Sequence, residues 1–164
     1  MAEVTAVCGK ICSGKTFYCR RLIGQGSAVL LSCDEVFSEC MRRAKVQDHD
    51  EVLSDVKRYL HKKAAEIVLA GTDVVLDWGF WTRAERKEVT QLYNSRGITC
   101  RWHYIGISDD EWKENIRRRN QLVSSGLSED CFVDDGLLEK LAGAFQPPES
   151  SEMDKWIEFM RETE

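Results

Sequence analysis

Proline is nearly missing: the only two, Pro147 and Pro148, stand side by side near the end of the 164-residue chain. That scarcity excludes a proline-rich or collagen-like architecture and leaves long helices and strands free to form. Long apolar runs are missing too, and nothing approaches the ~20 residues of a membrane-spanning helix. No charged and apolar leader precedes the first strand, because Met1-Ala2-Glu3 passes at once into Val4-Thr5-Ala6-Val7-Cys8. A cytoplasmic protein with no membrane partner is expected. Positive charge is in deficit, at a net −5, which argues against general affinity for nucleic acid or acidic membranes. Local basic clusters at Arg42-Arg43 and Arg117-Arg118-Arg119 still suit a small polyanion. The seven cysteines contain no C-x-x-C pair, and His49, His61 and His103 stand in no zinc-like spacing. They read as reduced thiols in a reducing compartment. An Asn-Lys-x-Asp motif, which would read guanine, occurs nowhere and counts against a GTPase.

What is present is an alternation of strand and helix signals. Val4 to Cys8 is a β-branched apolar run closed by Gly9, and a helix is predicted from Gly14 to about Ile23. Ala28 to Ser32 reads as a second strand, with Cys33-Asp34-Glu35 just past its end. Residues 38–50 are polar and poorly periodic, a mobile or partly helical segment. From His49 to Ala70 the apolar positions Leu53, Val56, Leu60, Ala64 and Ile67 recur at intervals of three and four, one face of a helix stopped by Gly71. Asp73 to Asp77 is a third strand, apolar inside as in a sheet covered on both faces. Thr82 to Glu85 has capping-box spacing and opens a helix to about Ser95. Ile98 to Ile107 is a fourth strand, and Ser108 to Glu111 starts a helix with Trp112 and Ile116 inward. Gln121 to Asp135 is polar, a candidate lid. Asp134 or Asp135 caps a helix through Leu137, Leu138 and Leu141 that ends at Gly143, and Asp154 to Met160 fits an edge strand or a terminal helix. This rhythm implies right-handed βαβ crossovers: an α/β, doubly wound, mainly parallel sheet in one domain over 1–164.

The densest signal is Gly9-Lys10-Ile11-Cys12-Ser13-Gly14-Lys15-Thr16, the GxxxxGK[ST] pattern between a strand and a helix. Its glycines let backbone N–H groups turn inward, and the helix N-terminus adds its positive end. Lys15 reaches β- and γ-phosphates, the Thr16 hydroxyl holds Mg²⁺, and Phe17 stands beside them. Ligands of open parallel sheets bind beyond the carboxyl ends of the strands, where Asp34, Glu35 and Asp77 fall. Asp77 ends an apolar strand and suits the metal-ordering carboxylate. Asp34 is placed to accept a substrate proton, and for both a cap or turn role is the alternative. Arg117, Arg118 and Arg119 close a helix and precede the lid. At about 100° per residue they cannot all face one site. One or two fold over the phosphates, or they form a basic last turn favoured by the helix dipole. Trp78-Gly79-Phe80-Trp81 follows Asp77 and reads either as the wall of an acceptor pocket, with Arg83 and Arg86 beside it, or as a hydrophobic plug.

In order, GKICSGKT, LSCDEVF, DVVLDWGFWTRAER, RRRN and AFQPPE resemble the AAA-type "predicted kinase" family, a relative of chloramphenicol phosphotransferase, zeta toxins and the polynucleotide kinase domain. The resemblance spans most of the chain, and DVVLDWGFW with the following arginines is its most specific part. It implies a P-loop NTPase fold with a five-stranded, shikimate- or adenylate-kinase-like core, a lid about 120–135 and a substrate-side segment about 36–50. By it Asp34 matches a catalytic base and Arg119 a lid arginine, with Arg117 second. Gln146 and Pro147 fall in the loop expected near the adenine, and Trp156 to Phe159 matches a final strand. Cys12-Ser13 departs from the family's commoner Gly/Ser pair.

The resulting expectation is a kinase using ATP and Mg²⁺ to phosphorylate a hydroxyl of a small-molecule acceptor, as monomer or homodimer. Lys15, Asp34, Arg119 and Arg117 are the candidate catalytic residues; Thr16 and Asp77 serve the metal; Asp34, Trp78, Trp81 and Arg83 serve the acceptor. A 5′-hydroxyl polynucleotide kinase and a nucleotide-dependent switch with little transfer activity are the alternatives.

Overall fold

A computed structural model describes residues 1–40, 49–128 and 132–158. The elements run β1 (Val4–Cys8), α1 (Lys15–Gly24), β2 (Ala28–Ser32), α2 (Cys33–Cys40), α3 (His49–Leu69), β3 (Asp73–Asp77), α4 (Arg83–Asn94), β4 (Cys100–Gly106), α5 (Asp109–Ser124), α6 (Asp135–Ala144), a 3₁₀ turn (Ser150–Glu152) and β5 (Lys155–Glu158). The strands form one sheet in the order β2-β3-β1-β4-β5, every neighbouring pair parallel.

Alternation along the strands sends successive side chains to opposite faces. Val4, Ala6, Cys8, Val74, Leu76, Trp102 and Tyr104 pack under Leu60, Ala64 and Val68 of α3 and Val89 and Tyr93 of α4. Val7, Val75 and Ile105 pack instead against Cys19, Tyr18 and Leu22 of α1. Both faces are covered, so β1 and β3 carry apolar residues without polar alternation. A third cluster joins Trp112 and Ile116 of α5 to Val133, Leu137 and Leu138, and to Ile11 and Cys12 of the loop after β1.

The helix starts follow local chemistry. The Thr82 hydroxyl accepts from the Glu85 N–H at 3.1 Å, and Ser108 does the same for Glu111 at 3.4 Å. Asp134, not Asp135, caps α6 by accepting from the Leu137 N–H at 2.7 Å. Such caps are worth about 1 kcal/mol each.

Several boundaries differ from the sequence expectation. Residue 34 does not lie in a free turn: α2 begins at Cys33 with no intervening loop, so Asp34 sits in a first helical turn, where a carboxylate is favoured by the dipole. Of the segment 36–50, residues up to 40 are helical, His49 and Asp50 begin α3, and 41–48, with Arg42 and Arg43, lie outside the described residues. The arginine triplet does not close its helix, because α5 continues through Gln121, Leu122 and Val123 to Ser124 and ends where Gly126 turns left-handed at φ 71°. The first part of the expected lid is therefore helix, and 129–131 lie outside the described residues. The C-terminal segment is a strand, β5, although Phe159 and Met160 fall outside what is described. Among the described residues, no helix is long and apolar enough to cross a membrane.

Candidate active site

The loop from Gly9 to Gly14 connects the buried end of β1 to the start of α1, and its glycines are there for stated reasons. A Cβ at Gly9 would stand 2.8 Å from Ser13 Oγ and 2.9 Å from the Ile105 carbonyl oxygen, so only glycine fits. Gly14 takes φ 90° at the α1 cap, the left-handed region. Cys12 also takes φ 58°, which costs a non-glycine residue strain. That conformation accounts for the glycine more usual at this place in the resembling family. Ser13 is fully buried, and its hydroxyl has no hydrogen-bond partner among the described residues.

Lys15, the first residue of α1, donates its ammonium to the Lys10 carbonyl oxygen at 2.6 Å. The Ser13 N–H reaches the same oxygen at 3.3 Å. The Lys15 ammonium and the Ser13 N–H thus share one acceptor within the loop. Burial pushes the Lys15 amine below its ordinary value, while the Asp77 and Asp34 carboxylates hold it up. Lys10 itself is turned outward: its ammonium is 3.2 Å from an Asp109 carboxylate oxygen and lies over the Trp112 ring at 4.5 Å. Phe17 is exposed on the first turn of α1.

Asp77 is two residues beyond Val75 and shares its face, which aims the carboxylate at α1. It is 4% exposed and hydrogen-bonded by the Thr16 hydroxyl and the Cys19 thiol. Burial raises the Asp77 carboxyl above its usual range, Asp34 adds to this, and Thr16, Lys15 and Cys19 oppose it. Burial and the nearby Asp77 charge likewise push the Cys19 thiol well up. Thr16 and Asp77 thus present hard oxygen donors side by side at the helix N-terminus, a donor set that fits Mg²⁺. The structure brings Lys15, Thr16, Asp77 and Asp34 within mutual electrostatic reach.

Of the arginines, Arg119 turns to the loop: its Nη1 is 3.5 Å from Cys12 Sγ. Arg117 turns outward and pairs with Glu114 at 2.7 Å, its side chain 69% exposed. Arg118 is exposed.

The residues expected around an acceptor are placed differently. Trp78 lies in the core against the rings of His61 and Phe80, because it falls on the sheet face covered by α3 and α4. The Trp81 indole lies flat over Gly79, where a Cβ would come within 1.8 Å of its Nε1. Trp78 is thus a hydrophobic plug of the core, while Trp81 is half-buried beside it. Arg83 is turned from the strand ends by ion pairs with Glu149 and Glu152. Arg86 is 2% exposed; it pairs with Glu152 at 3.2 Å and donates to the carbonyls of Phe80 and Gln146 at 3.1 Å each. Gln146 is bound into this same network: its N–H donates to the Trp81 carbonyl and its side chain accepts from the Arg83 N–H. Its polar contacts run to that stretch and not to the phosphate loop; Pro147, next in chain, is exposed.

Sequence reasoning did not single out Cys19, Asn115 or the clasp of α5 on the loop. Asn115 donates to the Cys12 carbonyl at 2.9 Å and Trp112 to the Ile11 carbonyl at 2.6 Å. The spacing of 112, 115 and 119 on one helical stripe was the available signal.

An AAA domain family model matches residues 4–148. No curated protein matches the chain. Among solved structures, a gluconokinase from Sinorhizobium meliloti 1021 superposes with a TM-score of 0.69 at 13% identity, covering 97% of this chain and 83% of that one. The Mycobacterium tuberculosis APS kinase in complex with AMPPNP and APS gives 0.66 at 15% identity, with 98% and 90% covered. Chaetomium thermophilum Kti12 in complex with ADP-AlF3 gives 0.68 at 17% identity, with 94% and 87% covered. At these identities the likeness concerns the fold, which this chain builds as a five-stranded parallel sheet covered by helices. The match over most of its length shows that the chain belongs to the AAA domain family.

Proposed function

We propose that the protein is a kinase that transfers the γ-phosphoryl group of ATP to a hydroxyl of a small-molecule acceptor. The observation that carries this reading is the proximity of Lys15, Asp77 and Asp34 at one edge of the sheet, with Thr16 beside Asp77, at the end of the glycine-bearing loop. A nucleotide switch needs the cradle, but transfer also needs a carboxylate beside it, and Asp34 supplies one. Similar folds bound to AMPPNP and to ADP-AlF3, and the names gluconokinase and APS kinase, support the same class.

In this reading Lys15 and the loop N–H groups bind the phosphates, and Thr16 and Asp77 hold Mg²⁺. The metal, when bound, neutralises charge on the phosphate oxygens. Arg119 adds positive charge from the α5 side. Asp34 orients the acceptor hydroxyl and takes its proton as the acceptor oxygen bonds to phosphorus and the bond to the ADP oxygen breaks. Catalysis is positioning and electrostatic stabilisation. The net charge of −5 favours a small acceptor over a nucleic-acid strand.

The test is transfer from γ-labelled ATP across nucleosides, sugars, antibiotics and 5′-hydroxyl oligonucleotides. Labelling of one small-molecule class supports the reading. Labelling of oligonucleotides alone replaces it with a polynucleotide kinase. Tight ATP binding without transfer to any class replaces it with a switch.

A further inference from the structure

Helix α5 grips the phosphate loop along one stripe. Trp112 Nε1 donates to the Ile11 carbonyl at 2.6 Å, Asn115 Nδ2 to the Cys12 carbonyl at 2.9 Å, and Arg119 Nη1 approaches Cys12 Sγ at 3.5 Å. The Ile11 and Cys12 side chains pack into the same cluster as Trp112, Ile116 and Val133. Two successive loop carbonyls are thus pinned to the helix.

The consequence follows from peptide geometry. In a trans peptide the C=O and the next N–H point in opposite directions, and the structure contains no cis peptide among its described residues. An Ile11 carbonyl held against α5 therefore aims the Cys12 N–H away from the helix, and a held Cys12 carbonyl does the same for the Ser13 N–H. The Ser13 N–H indeed meets the Lys10 oxygen on which the Lys15 ammonium also converges. The arrangement works against a local preference, because Cys12 at φ 58° lies in a region that L-residues other than glycine avoid. Something outside the loop has to hold it there.

We propose that Trp112 and Asn115 are positioning residues of the phosphate site: by holding the Ile11 and Cys12 carbonyls outward, they aim the adjacent N–H donors at the bound phosphate. This rests on the reading of the loop as a nucleotide site and assigns the orientation of its donors to α5. The residues touch no substrate; they act through the loop backbone.

The test is ADP affinity by calorimetry on the full chain, with ligand-free melting followed by circular dichroism. Trp112→Phe keeps the aromatic packing and removes the indole donor; Asn115→Leu keeps the size and removes the amide. Each is expected to lower ligand-free melting by a few degrees, as loss of one hydrogen bond implies. In addition, each should weaken ADP binding about 5- to 20-fold at a temperature where the variant is fully folded, because the loop donors are no longer held in the binding geometry. Asn115→Ser serves where the leucine variant folds poorly. The discriminating measurement is Asn115→Leu in a Cys12→Gly background. Glycine adopts the left-handed conformation without help, so the loss in affinity shrinks to below about threefold. Unchanged ADP affinity in both single variants overturns the inference. So does an equal loss whether residue 12 is the native cysteine or carries the Cys12→Gly change, the behaviour of a helix that merely packs. An unmodified protein that binds no ADP overturns both this inference and the functional reading, whereas tight binding by every variant overturns the inference alone.

Discussion

The Lys15 ammonium and the Lys10 carbonyl oxygen are hydrogen-bonded at 2.6 Å, so the cradle's principal cation is satisfied by the loop's own backbone. Phosphate binding exchanges that internal acceptor for an anionic one. Lys15→Ala is expected to lower transfer at least about 100-fold, the scale of losing a key charge-stabilising donor. Lys15→Arg should not restore it, because a planar guanidinium cannot replace a compact ammonium in this space. Steady-state kinetics with ADP calorimetry checks both.

Arg119 and Arg117 separate sharply in placement, one on the loop and one paired with Glu114 in solvent. Arg119→Ala is expected to reduce kcat about 10- to 100-fold. Arg117→Ala should change it less than about twofold, as for an exposed helical ion pair. Parallel kinetics on the two variants decides. A larger loss at Arg117 would reverse the assignment.

Cys19 and Thr16 both hydrogen-bond to the Asp77 carboxylate. Cys19→Ala removes the thiol donor at the cost of a small void, leaving a buried carboxylate held from one side. Its expected effect is a several-fold rise in the Mg²⁺ concentration for half-maximal transfer, with affinity for the acceptor unmoved. Titrating Mg²⁺ at saturating ATP reads this directly.

Stability should fall in mild acid. Burial lowers His103 to about 4, with the Lys155 and Arg101 charges in the same direction and Asp154 opposing; His61 is lowered to about 4 by burial, Lys57 and Arg96. The unfolded chain binds these protons near pH 6.5, so between pH 6.5 and 4 it holds more protons than the folded state. Stability is therefore full above pH 6.5 and declines as pH drops toward 4, by about 3 kcal/mol for His103. His103→Gln should flatten this part of the profile, as measured by urea unfolding at each pH.

The sequence made most of the sheet legible because β1, β2 and β3 were short apolar runs with clear stops, whereas β5, with the composition Lys-Trp-Ile-Glu, fitted strand or helix equally. Each of α4, α5 and α6 announced itself with a capping residue. The cradle was legible for the same local reason: two glycines, a lysine and a threonine at fixed spacing. What escaped was side-chain direction between distant elements. Trp78 and Arg86 beside a functional edge fit a pocket wall on sequence grounds, and only packing against α3, α4 and Glu152 places them inside. The end of α5 was misplaced because the basic triplet and Asn120 look like a last helical turn, whereas the helix carries on through Gln121, Leu122 and Val123 and stops at the left-handed Gly126. Asn115 gave no signal alone, since its partner is a backbone carbonyl far away in sequence.

In the proposed reaction this cradle transfers phosphate and Asp34 takes the acceptor's proton. It is tested most directly by single-turnover transfer from γ-labelled ATP to the best acceptor of the panel, comparing the unmodified protein with Asp34→Asn. ATP affinity should be unchanged in the variant and transfer slowed about 10²- to 10⁴-fold, the range for losing a general base. Transfer at the unmodified rate in Asp34→Asn would contradict that role of Asp34.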